Sequence, residues 1–339
     1  MFVPPPLPRT LDATFRDLSS EVEKVRVSAV QDLGRHLLGD EAAACRSRAV
    51  LALEKALADS SAKVRELAAI VAGEASTVEL VPRLLIALED PHTMVRQMAM
   101  DAIGRIGDDR ALPRVQRALT DERAEVRYQA VIAFGKLAPV DEAADAIAKR
   151  IVDDDAHVRY IALRVAEEIG LASAPTIQMT AEKTLSGDDP KVKVAAALLL
   201  APVGNSAARA LLGDVVRGTL RTPEAEDEQA AVEAVGELGM TELQGDLERR
   251  AWGLFRFAKE TYPWHAKIAL AAFGHVRAVT ELFADLSSSR REVREAAVVA
   301  LGRARVTSSR DRILGLAAQS VDEALRQEAL ANLNVEETS

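Results

Sequence analysis

Three side chains in the stretch DERAEVRYQAVIAFGKL, residues 121–137, have the types and the spacing that an acid–base site could use. Asp121 lies six residues before Arg127, and Tyr128 follows that arginine directly. A carboxylate, a guanidinium and a phenol held close together can exchange protons with a substrate and stabilise charge on it. The same groups also build structural hydrogen-bond networks, so the first question is whether the stretch occurs only once.

The stretch recurs along the chain at intervals of 28 to 39 residues. Ten segments align when the residue that corresponds to Arg127 is taken as the reference position of each copy. The residues at the reference position are Arg26, Arg65, Arg96, Arg127, Arg159, Lys193, Glu228, Ala266, Arg294 and Arg326. An interval of this length that holds two helical patterns predicts a helical solenoid, in which each repeat packs mainly against its neighbours.

The apolar residues of each copy fall on one face of a helix. The residue before the reference position is Val or Leu in eight copies, the third residue after it is Ala in all ten, and the seventh is always apolar. This spacing predicts one buried helical face, and the small alanine should let neighbouring helices approach closely. Glycine lies eight residues after the reference position in seven copies, where we expect it to end the helix in the left-handed conformation.

Aspartate or serine lies six residues before the reference position in seven copies. Both side chains accept hydrogen bonds from the free amides of a first helical turn, so this column is predicted to hold the N-caps. Ser20 with Glu23, and Ser320 with Glu323, also have the spacing of a capping box. The arginine about two turns further on can bridge to the aspartate or to loop carbonyls of the neighbouring repeat.

Because the Asp and Arg columns recur, we interpret them as a structural ladder rather than as catalytic residues. The predicted ladder residues are Asp59, Arg65, Asp90, Arg96, Asp121, Arg127, Asp153, Arg159, Arg294 and Arg326. Tyr128 is not explained in this way, since its column varies.

A second helical pattern precedes each of these helices, for example in residues 80–90, 112–121, 143–154 and 310–320. Pro82 and Pro113 lie fourteen residues before their arginines, where the first turn of this preceding helix is expected. Proline is tolerated there because the amide it lacks would have had no helical partner. Each repeat is therefore predicted to be a first helix, a tight turn with Asp or Ser, and a second helix that carries the reference position.

This combination of Asp, Val-Arg, Ala and Gly columns resembles the HEAT repeat, most closely the bacterial HEAT-like type of phycobilisome lyase subunits. The resemblance covers about residues 10–335 and is weak over 205–275, where Glu228 and Ala266 replace the arginine. It implies an all-α fold, a right-handed α-solenoid or α–α superhelix of about ten helical hairpins. Such proteins are usually scaffolds and adaptors, while some bind tetrapyrroles or nucleic acid, so the fold alone does not choose a function.

The predicted organisation is a disordered, proline-rich lead-in over residues 1–9 followed by a single solenoid over 10–335. The solenoid is expected to be regular over 40–204, irregular over 205–275 and regular again over 276–335.

Composition narrows the classes of partner. The net charge is −9 and the isoelectric point about 5.3, which makes nucleic acid an unfavoured partner because affinity for phosphate backbones comes from Lys and Arg. Cys45 is the single cysteine, so neither an intrachain disulfide nor a cysteine zinc cage is expected, and a reducing compartment is favoured. No stretch of eighteen apolar residues and no signal peptide is present, so we expect a cytoplasmic protein that does not cross a membrane.

Sequence motifs for cofactors and metals are lacking. None of the five histidines has a second histidine four residues later, and neither a Gly-rich phosphate loop nor a Gly-x-Ser-x-Gly nucleophile motif occurs. We therefore expect no catalytic residue, cofactor or metal.

The most specific candidates for partner binding lie on the second helices, which in HEAT-like solenoids usually line the concave surface. Tyr128 and Tyr160 each follow the reference position in successive repeats, about 10 Å apart at ordinary helix spacing. The nearby candidates are Met98, Ile161, Ile132 and Arg164. Tyr, Met and Arg are enriched in interfaces, but the same residues could simply pack between neighbouring helices.

A second candidate is the aromatic stretch RRAWGLFRFAKETYPWH, residues 249–265, which holds five of the twelve aromatic residues of the chain. Trp252, Phe255 and Trp264 are its candidate partner-binding residues. The alternative is that these large side chains fill the core of a degenerate repeat.

Together these features predict a non-enzymatic scaffold or adaptor that binds a protein partner on the concave face of the solenoid. Two alternatives stay open: a tetrapyrrole (bilin) lyase-like subunit or chaperone, and a nucleic-acid-binding HEAT-like protein.

Overall fold

The computed structural model describes residues 10–39, 42–253, 262–317 and 319–334. The predicted lead-in over residues 1–9 lies outside the described residues, and so does Phe255. Throughout the described part every regular element is a helix, which confirms the predicted all-α solenoid class. The chain divides into two compact units, residues 1–180 and 181–339.

The first unit is a series of helical hairpins. Its helices are α1 (Leu11–Asp17), α2 (Glu23–Leu38), α3 (Ala42–Ala56), α4 (Ala62–Glu74), α5 (Val81–Ala87), α6 (Thr93–Ile106), α7 (Leu112–Ala118), α8 (Ala124–Leu137), α9 (Val140–Ile151) and α10 (Ala156–Glu168), and α11 (Pro175–Leu185) includes the unit boundary. The even-numbered helices carry the reference positions, and α2, α4, α6, α8 and α10 pack in succession against one another. They are the second helices of their repeats.

The second unit is also a series of helical hairpins. Its helices are α12 (Pro190–Leu200), α13 (Ser206–Arg217), α14 (Ala225–Glu237), α15 (Gln244–Trp252), α16 (Tyr262–Ala272), α17 (Val276–Asp285), α18 (Arg291–Arg303), α19 (Arg310–Leu314) and α20 (Glu323–Leu333). Here too the even-numbered helices are the second helices, and each from α12 to α20 packs against the next.

The alanine column forms the centre of both cores. All ten alanines three residues after the reference position are buried: Ala29, Ala68, Ala99, Ala130, Ala162, Ala196, Ala231, Ala269, Ala297 and Ala329. Pro82 and Pro113 stand in the first turn of α5 and α7, as predicted. Burial of a small side chain at the same place in every repeat is what allows the second helices to stack at short range.

The glycine column has a different role from the one predicted. Only Gly274 of the seven has a left-handed φ, +74°, whereas the other six lie inside helices. A Cβ on Gly73 would stand 2.8 Å from the Cα of Ala102 in the next second helix, and one on Gly302 would stand 2.7 Å from the Cα of Ala329. These glycines are therefore places where two helix backbones touch, not helix ends.

The column of Asp and Ser was also wrongly predicted as the N-cap. The N-cap residues lie two positions later, for example Ser61 before α4 and Asp155 before α10. The Asp59 carboxylate instead accepts the backbone N–H of Ser61 at 2.8 Å. It closes a turn two residues ahead of the helix, which is the local bond that a short acidic side chain makes most easily.

The two predicted capping boxes are wrong for the same reason. The N-caps of α2 and α20 are Val22 and Asp322, not Ser20 and Ser320. Ser20 accepts the N–H of Val22, and Ser320 donates its hydroxyl to the carbonyl of Ala317.

Candidate functional site

The arginine at the reference position connects two consecutive turns. The Nη1 atom of Arg127 donates to the carbonyls of Asp121 and Glu122 in its own turn, at 2.9 and 3.1 Å. Its Nε and Nη2 atoms donate to the two carboxylate oxygens of Asp153 in the next turn, at 2.9 and 2.6 Å. The Arg127 side chain thus bonds the backbone carbonyl of Asp121. The carboxylate that Arg127 bonds is that of Asp153 in the following repeat. We call such a bidentate pair a rung.

Two other rungs have the same geometry. Arg26 bonds the carboxylate of Asp59 at 2.8 and 2.9 Å, and Arg65 bonds that of Asp90 at 2.6 and 2.8 Å. Both arginines also donate Nη1 to carbonyls of their own turns. A planar guanidinium fixes both its partners in direction as well as distance, so the rungs set the register of consecutive second helices in the first unit.

Three other predicted ladder arginines, Arg159, Arg294 and Arg326, donate their hydrogen bonds to backbone carbonyls. Arg159 donates to the carbonyls of Asp153 and Asp154 in its own turn. Arg294 donates to the carbonyl of Ser288 and, through Nε and Nη2, to the carbonyl of Ser320 in the next turn. Arg326 donates to the carbonyl of Ala317 at 3.0 Å.

Arg96 departs from the pattern. Its expected partner, the carboxylate of Asp121, is bonded by Arg123 at 2.8 and 2.9 Å instead. Sequence reasoning missed this competition, although a signal existed: Arg123 stands two residues after the aspartate, where the intact rungs Arg26–Asp59 and Arg127–Asp153 have Ser61 and Asp155.

The rung carboxylates have lowered pKa values. Burial raises the pKa of Asp90, but the hydrogen bonds from Arg65 and from the backbone N–H of His92 outweigh it, and the net pKa lies below its ordinary value. The same balance lowers the pKa of Asp59 and Asp153. A carboxylate with a lowered folded-state pKa stabilises the fold above its ordinary pKa of about 4, and that contribution is lost as the pH falls through the lower folded value.

We therefore expect the melting temperature to change little between about pH 5 and 7 and to fall below about pH 4. Replacing Asp90 by asparagine should make that acid fall shallower, because one titrating rung is gone. Thermal melts of both proteins across this range provide the measurement. Asp12→Asn is the control, since Asp12 pairs with Arg48 at the surface. An Asp90→Asn protein with the acid dependence of the parent would contradict the prediction.

The candidate binding residues of the second helices lie where their columns place them, and all are half-buried. Met98 lies on α6, Tyr128 and Ile132 lie on α8, and Tyr160, Ile161 and Arg164 lie on α10. Arg164 pairs with Glu167 at 2.8 Å. Because α6, α8 and α10 pack side by side, these residues share one row of helices, which we call the second-helix face.

The structure places the two tryptophans in separate side-chain clusters. Trp252 donates its Nε1–H to Glu281 at 3.1 Å, and the guanidinium of Arg277 lies 4.1 Å from its ring centroid. Lys267 and Arg277 also bond Glu281. Burial raises the pKa of Glu281, but the bonds from Lys267, Trp252 and Arg277 lower it to about 2. This cluster is a satisfied network that joins α15, α16 and α17.

Trp264 lies edge-on to His265, with ring centroids 4.9 Å apart, and Arg303 lies 5.7 Å from its ring centroid. His265 and Arg303 both contact Glu233. This second cluster joins α14, α16 and α18. The predicted aromatic site is therefore not one pocket among the described residues.

Among the described residues, no group of three or more His, Cys, Asp or Glu side chains could hold a metal ion. Among the same residues, no helix has the length and apolar character needed to cross a membrane.

Comparison with known proteins agrees with this architecture. The family profile of HEAT repeats matches residues 50–135. The Escherichia coli protein YibA superposes with a TM-score of 0.52 at 19% identity, over 78% of this chain and 93% of that one. The CpcE–CpcF complex of phycocyanin lyase from Nostoc sp. PCC7120 gives a TM-score of 0.44 at 19% identity, over 80% and 98%.

A designed armadillo repeat protein gives a TM-score of 0.41 at 19% identity, over 57% of this chain and all of that one. No curated protein sequence matches the chain. Identities this low bear on the fold alone. The fold and the recurring columns define an α-solenoid of helical hairpins with HEAT-like repeats, and the HEAT-repeat profile covers residues 50–135 of it.

Proposed function

We propose that this chain is a non-enzymatic scaffold or adaptor that binds a protein partner on the second-helix face of its first unit. The observation that carries the proposal is the pair Tyr128 and Tyr160, which occupy equivalent positions on the packed helices α8 and α10 and are both half-buried. Each ring is held by the helix and still leaves part of its area at the surface. Tyrosine loses little conformational freedom on binding and is enriched among anchor residues.

The rung beside these tyrosines supports a preformed surface. Arg127 directly precedes Tyr128 and bonds Asp153 in the turn that leads into α10. The rung therefore fixes the helix of one tyrosine relative to the turn before the other. A rigid surface loses less conformational entropy when it binds, so more of the contact energy contributes to affinity.

The other residues of the face fit the same use. Met98, Ile132 and Ile161 are apolar and half-buried, and Arg164 adds a charged group at 2.8 Å from Glu167. An apolar centre with a charged edge is the usual composition of a protein interface. We place this function in the cytoplasm, where the buried thiol of Cys45 would stay reduced.

The test is a double substitution, Tyr128→Ala with Tyr160→Ala. We expect it to weaken partner binding by about 2 kcal/mol or more, roughly thirty-fold, because two anchor rings are removed. The melting temperature should move little, since both rings are only half-buried. The partner is first identified by affinity capture and mass spectrometry, and both proteins are then titrated with it beside thermal melts.

Leu51→Ala with Ile86→Ala is the matched control. These side chains are 60% and 64% exposed on the first helices α3 and α5, so their removal takes away apolar surface outside the second-helix face and should leave the affinity unchanged. Unchanged affinity in the tyrosine variant would contradict the proposal, and a large fall of its melting temperature would show the tyrosines to be packing residues. Visible absorbance of the purified protein, or a salt-sensitive shift of nucleic acid, would favour one of the other functions instead.

A further inference from the structure

The rung between α6 and α8 is incomplete, although both of its residues are present. Arg96 and Asp121 occupy the rung positions, yet Arg123 bonds both carboxylate oxygens of Asp121. The Asp121 carboxylate also accepts the backbone N–H of Arg123 at 2.9 Å, just as Asp59 accepts that of Ser61 in an intact rung. The turn is therefore built as in an intact rung, and only the side chain of Arg123 keeps Arg96 from its partner.

Arg96 is left as a buried guanidinium whose Nε atom has no hydrogen-bond partner. Its side chain is 9% exposed, and Nη1 donates to the carbonyls of Asp90 and Pro91 while Nη2 donates to the hydroxyl of Thr93 at 3.0 Å. The Nε atom is buried and has no hydrogen-bond partner. Glu125 is 3.6 Å from Nη2, which is too far for a hydrogen bond. An unpaired buried donor on a charged group costs free energy until an acceptor reaches it.

A notch lies beside Arg96, and an acceptor reaches the buried Nε atom through it only when the Glu125 side chain, which forms part of its lining, moves aside. It lies between α6 and α8 and is about large enough for one water-sized atom. Met100 and Val126 form apolar parts of its lining, and Gln97 and Gln129 also line it. Gln97 and Gln129 lie one and two residues after their reference positions, in the columns that form the second-helix face.

We propose that this notch receives the carboxylate of an aspartate or glutamate from the protein partner, which completes the missing rung from outside. One carboxylate oxygen accepts from Nε of Arg96, and the carboxylate takes the place of Glu125 beside Nη2. The bidentate match of a guanidinium with a carboxylate favours this occupant over a neutral amide. The apolar lining favours a partner in which the acidic residue is flanked by apolar ones. The inference rests on the proposed protein-binding function and adds the chemistry of one contact.

Two variants change whether Arg96 is available to the partner, and neither alters a residue that lines the notch. In Arg123→Ala, Asp121 can bond Arg96 and complete the rung within the chain. The Nε donor of Arg96 is then no longer available to a partner. In the double variant Arg123→Ala with Asp121→Asn, the internal carboxylate is gone and Arg96 is available again. A direct contact of Arg123 with the partner would be lost in both variants, whereas the proposal requires recovery in the second.

The first readout uses the full chain with ¹⁵N-labelled arginine. The Nε–Hε resonance of Arg96 is assigned by its absence in Arg96→Lys, and N-acetylglutamate α-amide is titrated against N-acetylglutamine α-amide as the neutral control. We expect the carboxylate probe to shift this resonance saturably in the parent and in the double variant, but not in Arg123→Ala. Glu125→Gln should strengthen the response, because a competing carboxylate is removed. No shift with the carboxylate probe, or equal shifts with both probes, would overturn the inference.

The second readout uses the partner found by affinity capture. We expect Arg123→Ala to bind it at least ten-fold more weakly, with a melting temperature equal to or above that of the parent, and the double variant to recover. Equal affinity of all three proteins would overturn the inference and leave the proposed function standing. If Arg123→Ala lost binding while the tyrosine substitutions had no effect, the proposed carboxylate contact would be supported and the proposed role of the two tyrosines would be contradicted.

Discussion

Replacing Arg127 by alanine is expected to lower the free energy of unfolding by about 3 kcal/mol. The substitution removes both bonds to Asp153, whose side chain is 2% exposed, and frees the carbonyls of Asp121 and Glu122. Breaking a buried ion pair from one side is costly because the remaining charge cannot return to water. Arg150 still bonds Asp153 at 2.7 Å, which keeps the loss at the lower end of the range for such pairs.

The measurement is urea unfolding followed by circular dichroism, beside a thermal melt. Arg164→Ala is the matched control, because its pair with Glu167 is 38% exposed on both sides and exposed pairs contribute about 0–1 kcal/mol. Binding of the partner by folded Arg127→Ala protein should change little. If Arg127→Ala kept the parent melting temperature but no longer bound the partner, the arginine column would be a contact surface and not a scaffold.

The repeat architecture was predictable from the sequence because it rests on periodicity. The buried alanines recur at one place in every copy, and a small residue in the centre of an apolar helical face has few other uses. Pro82 and Pro113 marked the starts of α5 and α7 for a local reason as well, since proline tolerates only the first helical turn.

The ion pairs were harder to predict from the sequence, because two arginines can compete for the carboxylate of one aspartate. The sequence showed Asp121 and Arg96 in the rung columns, and it showed Arg123 two residues after the aspartate. Whether the local arginine or the one in the neighbouring repeat takes the carboxylate is decided by distances across the turn. Likewise, nearness in sequence suggested that Trp252 and Trp264 share a site, but the two rings lie in clusters that join different sets of helices.

The glycine column shows how one residue type serves two physical purposes. Glycine suits a left-handed helix end, and it equally suits a crossing where a Cβ would collide with a neighbouring backbone. Because the sequence gives no direct view of the neighbouring helix, the first purpose was inferred. Residues that continue the helix beyond the glycine, such as Arg105 after Gly104, were the available signal for the second.

This second purpose leads to the prediction that Gly236→Ala lowers the free energy of unfolding by about 2–3 kcal/mol. A Cβ on Gly236 in α14 would stand 2.5 Å from the Cα and 2.8 Å from the carbonyl oxygen of Ala269 in α16. Backbone atoms cannot turn aside as a flexible side chain can, so the two helices would have to separate along their contact. The higher helix propensity of alanine offsets only about 1 kcal/mol of this destabilisation.

Gly245→Ala provides the matched control, because the same substitution there should have the opposite sign. Gly245 is the second residue of α15 and is exposed, and a Cβ on it would meet nothing closer than Nη1 of Arg249 at 3.9 Å. Without a collision, alanine should stabilise the helix by about 0.5–1 kcal/mol. Both variants are compared with the parent by urea unfolding of the full chain. If Gly236→Ala were as stable as Gly245→Ala, the second helices would not be in backbone contact at this crossing, and the glycine column would need another explanation.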